Sequence, residues 1–238
     1  MKERLPNFYL PKPNSQPNKR EFMLLEAAWT LLQRDVFARP STATLFNPYR
    51  DRNNAFDLPD APTIRRENAR RYLACYDERP LVFLLAEAPG PWGCRFSGVP
   101  LVSEAQLVDG TFPIDGHRSS MQEEPHSEYS ANIYWRVLEP YFPHFFTWNS
   151  VPLHPHHEGQ PLSIRNPKSS EVKAYTDVLA GLIGILQPQR ILAIGRKAEY
   201  ALKQIDADAT YVRHPSQGGA KLFEAGVLAA MQELEIGT

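Results

Sequence analysis

Cysteine is scarce in this chain, which holds only Cys75 and Cys94. Two thiols exclude a four-cysteine zinc or iron–sulfur site and a disulfide framework. A reducing compartment is the default for such a chain. Long apolar runs are missing as well: the longest, LVFLLA at 81–86, is far too short to span a bilayer. The first residues, MKERLPNFYLPKPN, hold no apolar signal-peptide core. These readings together predict a cytoplasmic protein without a membrane partner. Neither sign of charge is in excess, with 26 Lys+Arg against 27 Asp+Glu and a net charge of -1. Bulk charge therefore gives no signal for nucleic acid, although a local basic patch is enough to bind it. No G-x-G-x-x-G follows an apolar run, no Walker loop is present, and no G-x-S-x-G elbow occurs. A dinucleotide site and an α/β-hydrolase nucleophile are thus unsupported.

Proline, by contrast, is plentiful: 22 of 238 residues, close to twice the usual share of about 5%. Hydrophobic residues at 42% and a net charge of -1 are incompatible with a disordered chain, so the prolines must sit mainly in loops of a folded protein. The length suits one domain with a tail. Residues 1–20, with four prolines and five basic residues against one acid, read as a flexible arm, and 21–238 as a single α/β domain. A monomer is expected.

Four short segments read as strands: 81–86, 144–149, 190–194 and 210–214. The run LVFLLA has the continuous apolar character of a strand buried on both faces. Helical spacing appears at 21–36, 63–76, 129–141, 169–187, 196–205 and 220–235. The arginines of 63–76 read as a solvated face. Residues 37–62 read as a polar loop, and 104–128, without periodicity, as a long surface insertion. Strands alternating with helices predict a three-layer α/β/α fold around a central, mainly parallel four-stranded sheet. Ligands bind such sheets outside the carboxyl ends of the strands.

Three of those strand ends open into loops dense in Pro, Gly, Glu, Asn and His: AEAPGPWGCRFSGVPLVSE (86–104), TWNSVPLHPHHEGQPLSIRNPKSSE (147–171) and VRHPSQGG (212–219). Together they hold eight of the 22 prolines, which reads as stiffening of a binding site. His154, His156 and His157 do not make a recognisable metal motif. The first two are expected on opposite sides of the chain, so surface or substrate-facing roles are expected and no metal.

The order of the three loops resembles the uracil-DNA glycosylase superfamily, over roughly residues 80–220. Glu87-Ala88-Pro89-Gly90 is similar to the Glu-Ala-Pro-Gly of the thermophile-type, iron–sulfur branch. Pro89-Gly90-Pro91-Trp92-Gly93 followed by Ser97-Gly98-Val99-Pro100 looks more like the single-strand-selective branch. With two cysteines the chain should carry no cluster, and no cofactor is expected. The resemblance implies a monofunctional DNA glycosylase that flips uracil or a related deaminated base out of DNA and hydrolyses its N-glycosidic bond, in base excision repair.

By the same resemblance Glu87 positions the attacking water and His214 donates to the uracil O2. Asn149 pairs with the O4/N3 edge of the base, since an amide offers both a donor and an acceptor. Each has a plain structural alternative: a glutamate held by backbone N–H groups, a histidine closing its strand, an asparagine capping a turn. Ala88, Pro89 and Gly90 line the base, and Leu101 stands where the family pattern has a stacking phenylalanine. Trp92 or Phe96 offers an aromatic ring in its place. Pro215, Ser216, Gln217, Gly218 and Gly219 resemble the DNA-inserting loop, with Arg213 beside them for phosphate; Arg165, Lys168 and Lys221 offer further local positive charge. Ala88 departs from the family, because it replaces a polar catalytic residue with a methyl group. That departure keeps open a second reading, a weak or inactive module that binds single-stranded or damaged nucleic acid. No lysine lies in the three motif cores, so no Schiff-base lyase step is expected.

Overall fold

In the computed structural model, residues 19–237 are described, and the arm expected at 1–20 falls almost wholly outside them. In chain order the elements are α1 (Lys19–Leu32), β1 (Leu45–Phe46), α2 (Ala61–Ala74), β2 (Val82–Ala86), α3 (Cys94–Ser97), α4 (Glu104–Leu107), α5 (Tyr129–Leu138), β3 (Phe145–Asn149) and β4 (His154–Pro155). Then come α6 (Ser169–Lys173), α7 (Thr176–Leu186), β5 (Arg190–Ile194), α8 (Arg196–Lys203), β6 (Thr210–Val212) and α9 (Ala220–Glu233). The main sheet has the order β3-β2-β5-β6, and every neighbouring pair in it is parallel.

Every residue of β2 and β3 is buried. Side chains alternate across a sheet, so burial of every position means that helices cover both faces, which is the three-layer fold the apolar runs predict. Each fully buried Leu or Phe in these strands contributes about 1.5–3 kcal/mol. On one face Tyr134 of α5 packs against Phe145, with ring centroids 6.1 Å apart, and against Phe223 of α9 at 5.7 Å. The free edge of β3 is closed without another strand. The Tyr72 hydroxyl accepts from the Thr147 amide (2.7 Å), and the Tyr76 hydroxyl donates to the Phe145 carbonyl (2.8 Å). Both tyrosines come from α2, which thereby covers an edge that would otherwise invite pairing with another chain.

Several segments depart from their sequence-based expectations. The first helix leaves α geometry at Gln33 for a π turn over Gln33–Phe37, which brings both Val36 and Phe37 into the core. Asn47 donates its amide to the carbonyls of Val36 (2.8 Å) and Arg39 (2.6 Å). The helix expected at 169–187 is split in two. Tyr175 leaves helical geometry between α6 and α7 and is buried beneath the Arg39 guanidinium, 4.5 Å from its ring. The strand expected at 210–214 ends at Val212, so Arg213 and His214 leave the sheet.

The two long loops are tied rather than loose. Residues 37–62 pair β1 with β4 in a small antiparallel ladder, a contact no local pattern announces. Asp57 from this loop is fully buried and meets two buried arginines: Arg65 of α2 at 2.6 Å, and Arg95 of α3 at 2.5 Å and 3.1 Å. Burial disfavours the Asp57 carboxylate, but Arg95 and Arg65 outweigh it and hold the carboxyl below its usual range. Burial, with the like charge of Arg95, pulls Arg65 down to about 10. Arg65 is therefore a structural ion, which corrects the expectation of a solvated arginine face. In 104–128, buried Glu104 accepts from the amides of Ser119 (2.7 Å) and Ser120 (2.9 Å) and from the Ser120 hydroxyl (2.6 Å). That segment is thus anchored around a buried carboxylate and is not a plain surface insertion.

Candidate active site

The carboxyl ends of all four parallel strands converge on one cavity of about 570 Å³. Parallel register forces this convergence: Ala86 at the end of β2 is paired with Asn149 at the end of β3, so the two loops leave the sheet side by side. The Ser150 amide then donates to the Ala86 carbonyl (2.8 Å), and the Val151 amide (3.1 Å) and Ser150 hydroxyl (2.6 Å) to the Glu87 carbonyl. With its backbone secured, Glu87 presents its side chain to the cavity. Burial pushes the Glu87 carboxyl above the usual range, and Lys197 at the start of α8 pulls it back down.

The second loop also fastens the first. Nδ1 of buried His154 lies 2.7 Å from the Pro89 carbonyl oxygen. A carbonyl only accepts, so His154 carries its proton on Nδ1; Nε2 is buried without a partner. Burial pulls the imidazole down to about 4 and keeps it neutral. The rings of His154 and His156 lie on one side of the chain, 5.8 Å apart and 20° from parallel, and both are buried. Residues two apart in extended chain share a side, which corrects the expectation of opposite, surface-facing positions. Among the described residues no three His, Cys, Asp or Glu side chains are grouped so as to hold a metal ion.

His214 stands at the far end of the sheet, just past β6. Its Nδ1 lies 3.2 Å from the Ser216 amide nitrogen and 2.8 Å from the Ser216 hydroxyl. The amide must donate, so Nδ1 accepts and the ring proton sits on Nε2. Burial, then the charge of Arg213, holds His214 below the usual imidazole range. His214 is thus a neutral N–H donor in the cavity wall. The turn after it passes through Gln217 and Gly218, both with positive φ (52° and 75°), and carries Gln217 outward into solvent. Pro215 and Gly219 are buried. A Cβ on Gly219 would overlap the His214 carbonyl oxygen, so only glycine closes this turn.

Of the residues the sequence offers for a base and its backbone, Glu87, Ala88, Pro89, Gly90, Leu101, Asn149, Arg213, His214, Ser216 and Gln217 line the cavity. Leu101 does so at a φ of 53°, a left-handed conformation rare for leucine, with its carbonyl held by the Trp135 indole at 2.9 Å. Trp92 and Phe96 do not line it. Phe96 is fully buried between the Arg95 guanidinium (4.1 Å) and the His126 ring (4.4 Å). Trp92 is 42% exposed and faces His126 at 5.1 Å. Their aromatic faces serve the buried arginine and the loop, not the cavity. Arg165 is no free cation either: it forks onto both Glu171 oxygens, at 2.8 Å and 2.7 Å.

Several cavity residues escape sequence reading, among them Cys94, Glu128 and Lys197. Lys197 had a signal, since it follows the carboxyl end of a parallel strand by three residues. It also places a lysine in the cavity wall, although none lies within the three motif cores. Cys94 sits beneath Asn149, whose Nδ2 is 3.5 Å from the sulfur. Burial pushes this thiol up to about 12 and makes it an inert floor. Glu128 comes from the aperiodic segment, where no pattern marks it.

No protein-family model matches this chain, and no curated protein does. Among solved structures the chain is similar to the crystal structure of wild-type Pedobacter heparinus SMUG2, with a TM-score of 0.63 and 12% identity over 90% of this chain and 99% of that one. At that identity the likeness is one of fold. Among the described residues no helix is long and apolar enough to cross a membrane.

Proposed function

We propose that this protein is a monofunctional DNA glycosylase that releases uracil, or a related deaminated base, by hydrolysis. The carrying observation is the placement of Glu87, Asn149 and the neutral N–H donor His214 around one cavity at the strand ends. The fold likeness to SMUG2, a member of the uracil-DNA glycosylase superfamily, supports the reading at the level of fold. In this reading the C1′–N1 bond breaks, and its electron pair leaves with the base. His214 Nε2–H stabilises the charge that develops on the base O2. Asn149 holds the O4/N3 edge and rejects cytosine, whose edge reverses the donor and acceptor pattern. The Glu87 carboxylate orients a water toward C1′ and accepts its proton. Lys197 opposes the burial that raises the Glu87 carboxyl; it is not assigned a nucleophilic role. DNA is the partner, and the Ser216–Gly219 turn with Arg213 approaches its backbone.

Purified protein is expected to release free base from a uracil-containing oligonucleotide and to leave an unbroken abasic strand. Release no faster than that of a Glu87→Gln/His214→Ala double variant sinks the catalytic reading. Ala88, a methyl group in the cavity wall at a position the chemistry could use, favours the second reading of a binding module. Salt-dependent DNA binding without base release is its signature.

A further inference from the structure

Six large apolar side chains are exposed among the described residues, and three of them, Trp92, Tyr129 and Ile164, stand at or beside the mouth of the cavity. Ile164 lines it directly. Tyr129 lies between two lining residues, Glu128 and Ser130, and is 72% exposed. Trp92 lies in the turn from Gly90 to Gly93, and both glycines abut the Glu128 carboxyl. Trp92 and Tyr129 therefore belong to one rim, carried by the turn after β2 and the start of α5. A single exposed apolar side chain is ordinary, but a group of them at one mouth marks a surface for a partner.

The Trp92 ring is held from behind. The Arg95 guanidinium caps Phe96 at 4.1 Å, Phe96 meets His126 at 4.4 Å, and His126 meets Trp92 at 5.1 Å. The His126 carbonyl is tied to α4 by the Ala105 amide at 2.9 Å. This row of rings runs from the buried ion cluster out to the surface and sets Trp92 in place before any ligand arrives.

The other side of the mouth is cationic. Lys197 lines it just past β5, and Arg213 just past β6. The sheet order β3-β2-β5-β6 keeps the two sides apart. A polynucleotide strand is divided in the same way, with anionic phosphates along one side and the π faces of its bases along the other. When one base enters the cavity, the next is a single sugar-phosphate away and is set down at the rim. We propose that Trp92 and Tyr129 form a stacking site for the nucleobase next to the one held in the cavity, and that this site prefers a purine neighbour to a pyrimidine. The inference rests on the reading of the cavity as a base pocket. A larger ring system covers more of the two aromatic side chains, so the neighbour is selected by stacking area rather than by hydrogen bonds.

The test is equilibrium binding of single-stranded oligonucleotides that carry one 2′-fluoro-2′-deoxyuridine, whose glycosidic bond resists hydrolysis. The residue immediately 5′ or immediately 3′ of it is adenine, thymine or a tetrahydrofuran abasic site. At one of the two flanks, replacing adenine by the abasic site is expected to weaken binding about five- to a hundred-fold, the range for one base–aromatic stack, with thymine between them. A Trp92→Ala/Tyr129→Ala double variant binds all three alike at that flank. Trp92→Phe/Tyr129→Phe keeps the rings and keeps the order. Tyr129→Ala alone, at an exposed position, reduces the dependence and serves if the Trp92 variants do not fold. Equal binding of adenine and abasic flanks on both sides, no binding of any of these oligonucleotides, or an unchanged order in the alanine variants overturns the inference. Catalysis is read separately, as base release from ordinary deoxyuridine. Flank dependence without release refutes the proposed catalysis alone, and release without flank dependence refutes the stacking site alone.

Discussion

The Ser216 amide nitrogen lies 3.2 Å from Nδ1 of His214, two residues back along the same turn. A backbone N–H can only donate, so this contact fixes the imidazole tautomer and aims the remaining N–H away from the turn. The Ser216 hydroxyl at 2.8 Å reinforces the contact without being needed for it. His214→Ala is expected to lower the rate of base release by about 10²–10³-fold, the usual loss for one donor to a developing anion. Ser216→Ala, which keeps the amide, is expected to cost roughly 3- to 10-fold. Single-turnover rates on a uracil oligonucleotide check both, and equal losses in the two variants refute the tautomer argument.

Glu87 works as a carboxylate in the proposed mechanism, so base release should fall on the acid side. Burial raises its pKa and Lys197 lowers it. Removing the cation in Lys197→Ala should therefore move the acid limb of the pH–rate profile to higher pH, while Glu87→Gln should cost about 10²–10⁴-fold across the profile. An acid limb that stays in place in the Lys197 variant separates the two residues.

His154 binds the Pro89 carbonyl and is neutral when folded. Its folded pKa of about 4 lies below the usual 6.5, so its contribution to stability is complete above pH 6.5. It is lost as pH falls toward 4, because the unfolded chain takes up the proton first. The loss reaches up to about 3 kcal/mol. Denaturant melts between pH 7 and pH 4 should show it, and His154→Phe should flatten that part of the curve. At pH 7 the same variant should be about 1–3 kcal/mol less stable, since the Pro89 carbonyl is left unpaired.

Glu128 has the opposite sign. Its pKa of about 7 is raised from 4.5 by burial, so stability is greatest below pH 4.5 and is lost as pH rises through 7, by at most about 3 kcal/mol. Glu128→Gln should remove this alkaline loss. The measurement is the unfolding midpoint at pH 5 and pH 8, and a midpoint difference unchanged by the substitution counts against a buried carboxyl.

Asp57 bridges two buried guanidiniums. Asp57→Asn keeps its volume but leaves both cations uncompensated, and should cost about 3–5 kcal/mol. Because Arg95 begins the segment that carries Leu101, base binding should weaken along with stability, which oligonucleotide titrations at fixed denaturant would register.

The sequence alone determined the layers of this fold. LVFLLA is apolar at every position, as in a strand covered on both faces, and the strand segments alternate with helical spacing, so a helix-sandwiched parallel sheet was legible before any coordinates. The same local reading marked the strand-end loops, and the resemblance picked Glu87, Asn149 and His214 out of them; each lies at or just past the carboxyl end of a strand, and parallel register brings such ends together. What tertiary structure decided depends on partners remote in the chain. Arg65 reads as surface charge until Asp57 and Arg95 surround it. Phe96 reads as a base platform until the Arg95 guanidinium occupies its face. Glu128 carries no periodic signal at all, and only the glycine turn some forty residues earlier gives its carboxyl a place in the cavity. Apolar burial repeats along a strand or helix and so leaves a pattern. A buried charge is satisfied by one or two distant groups and leaves none.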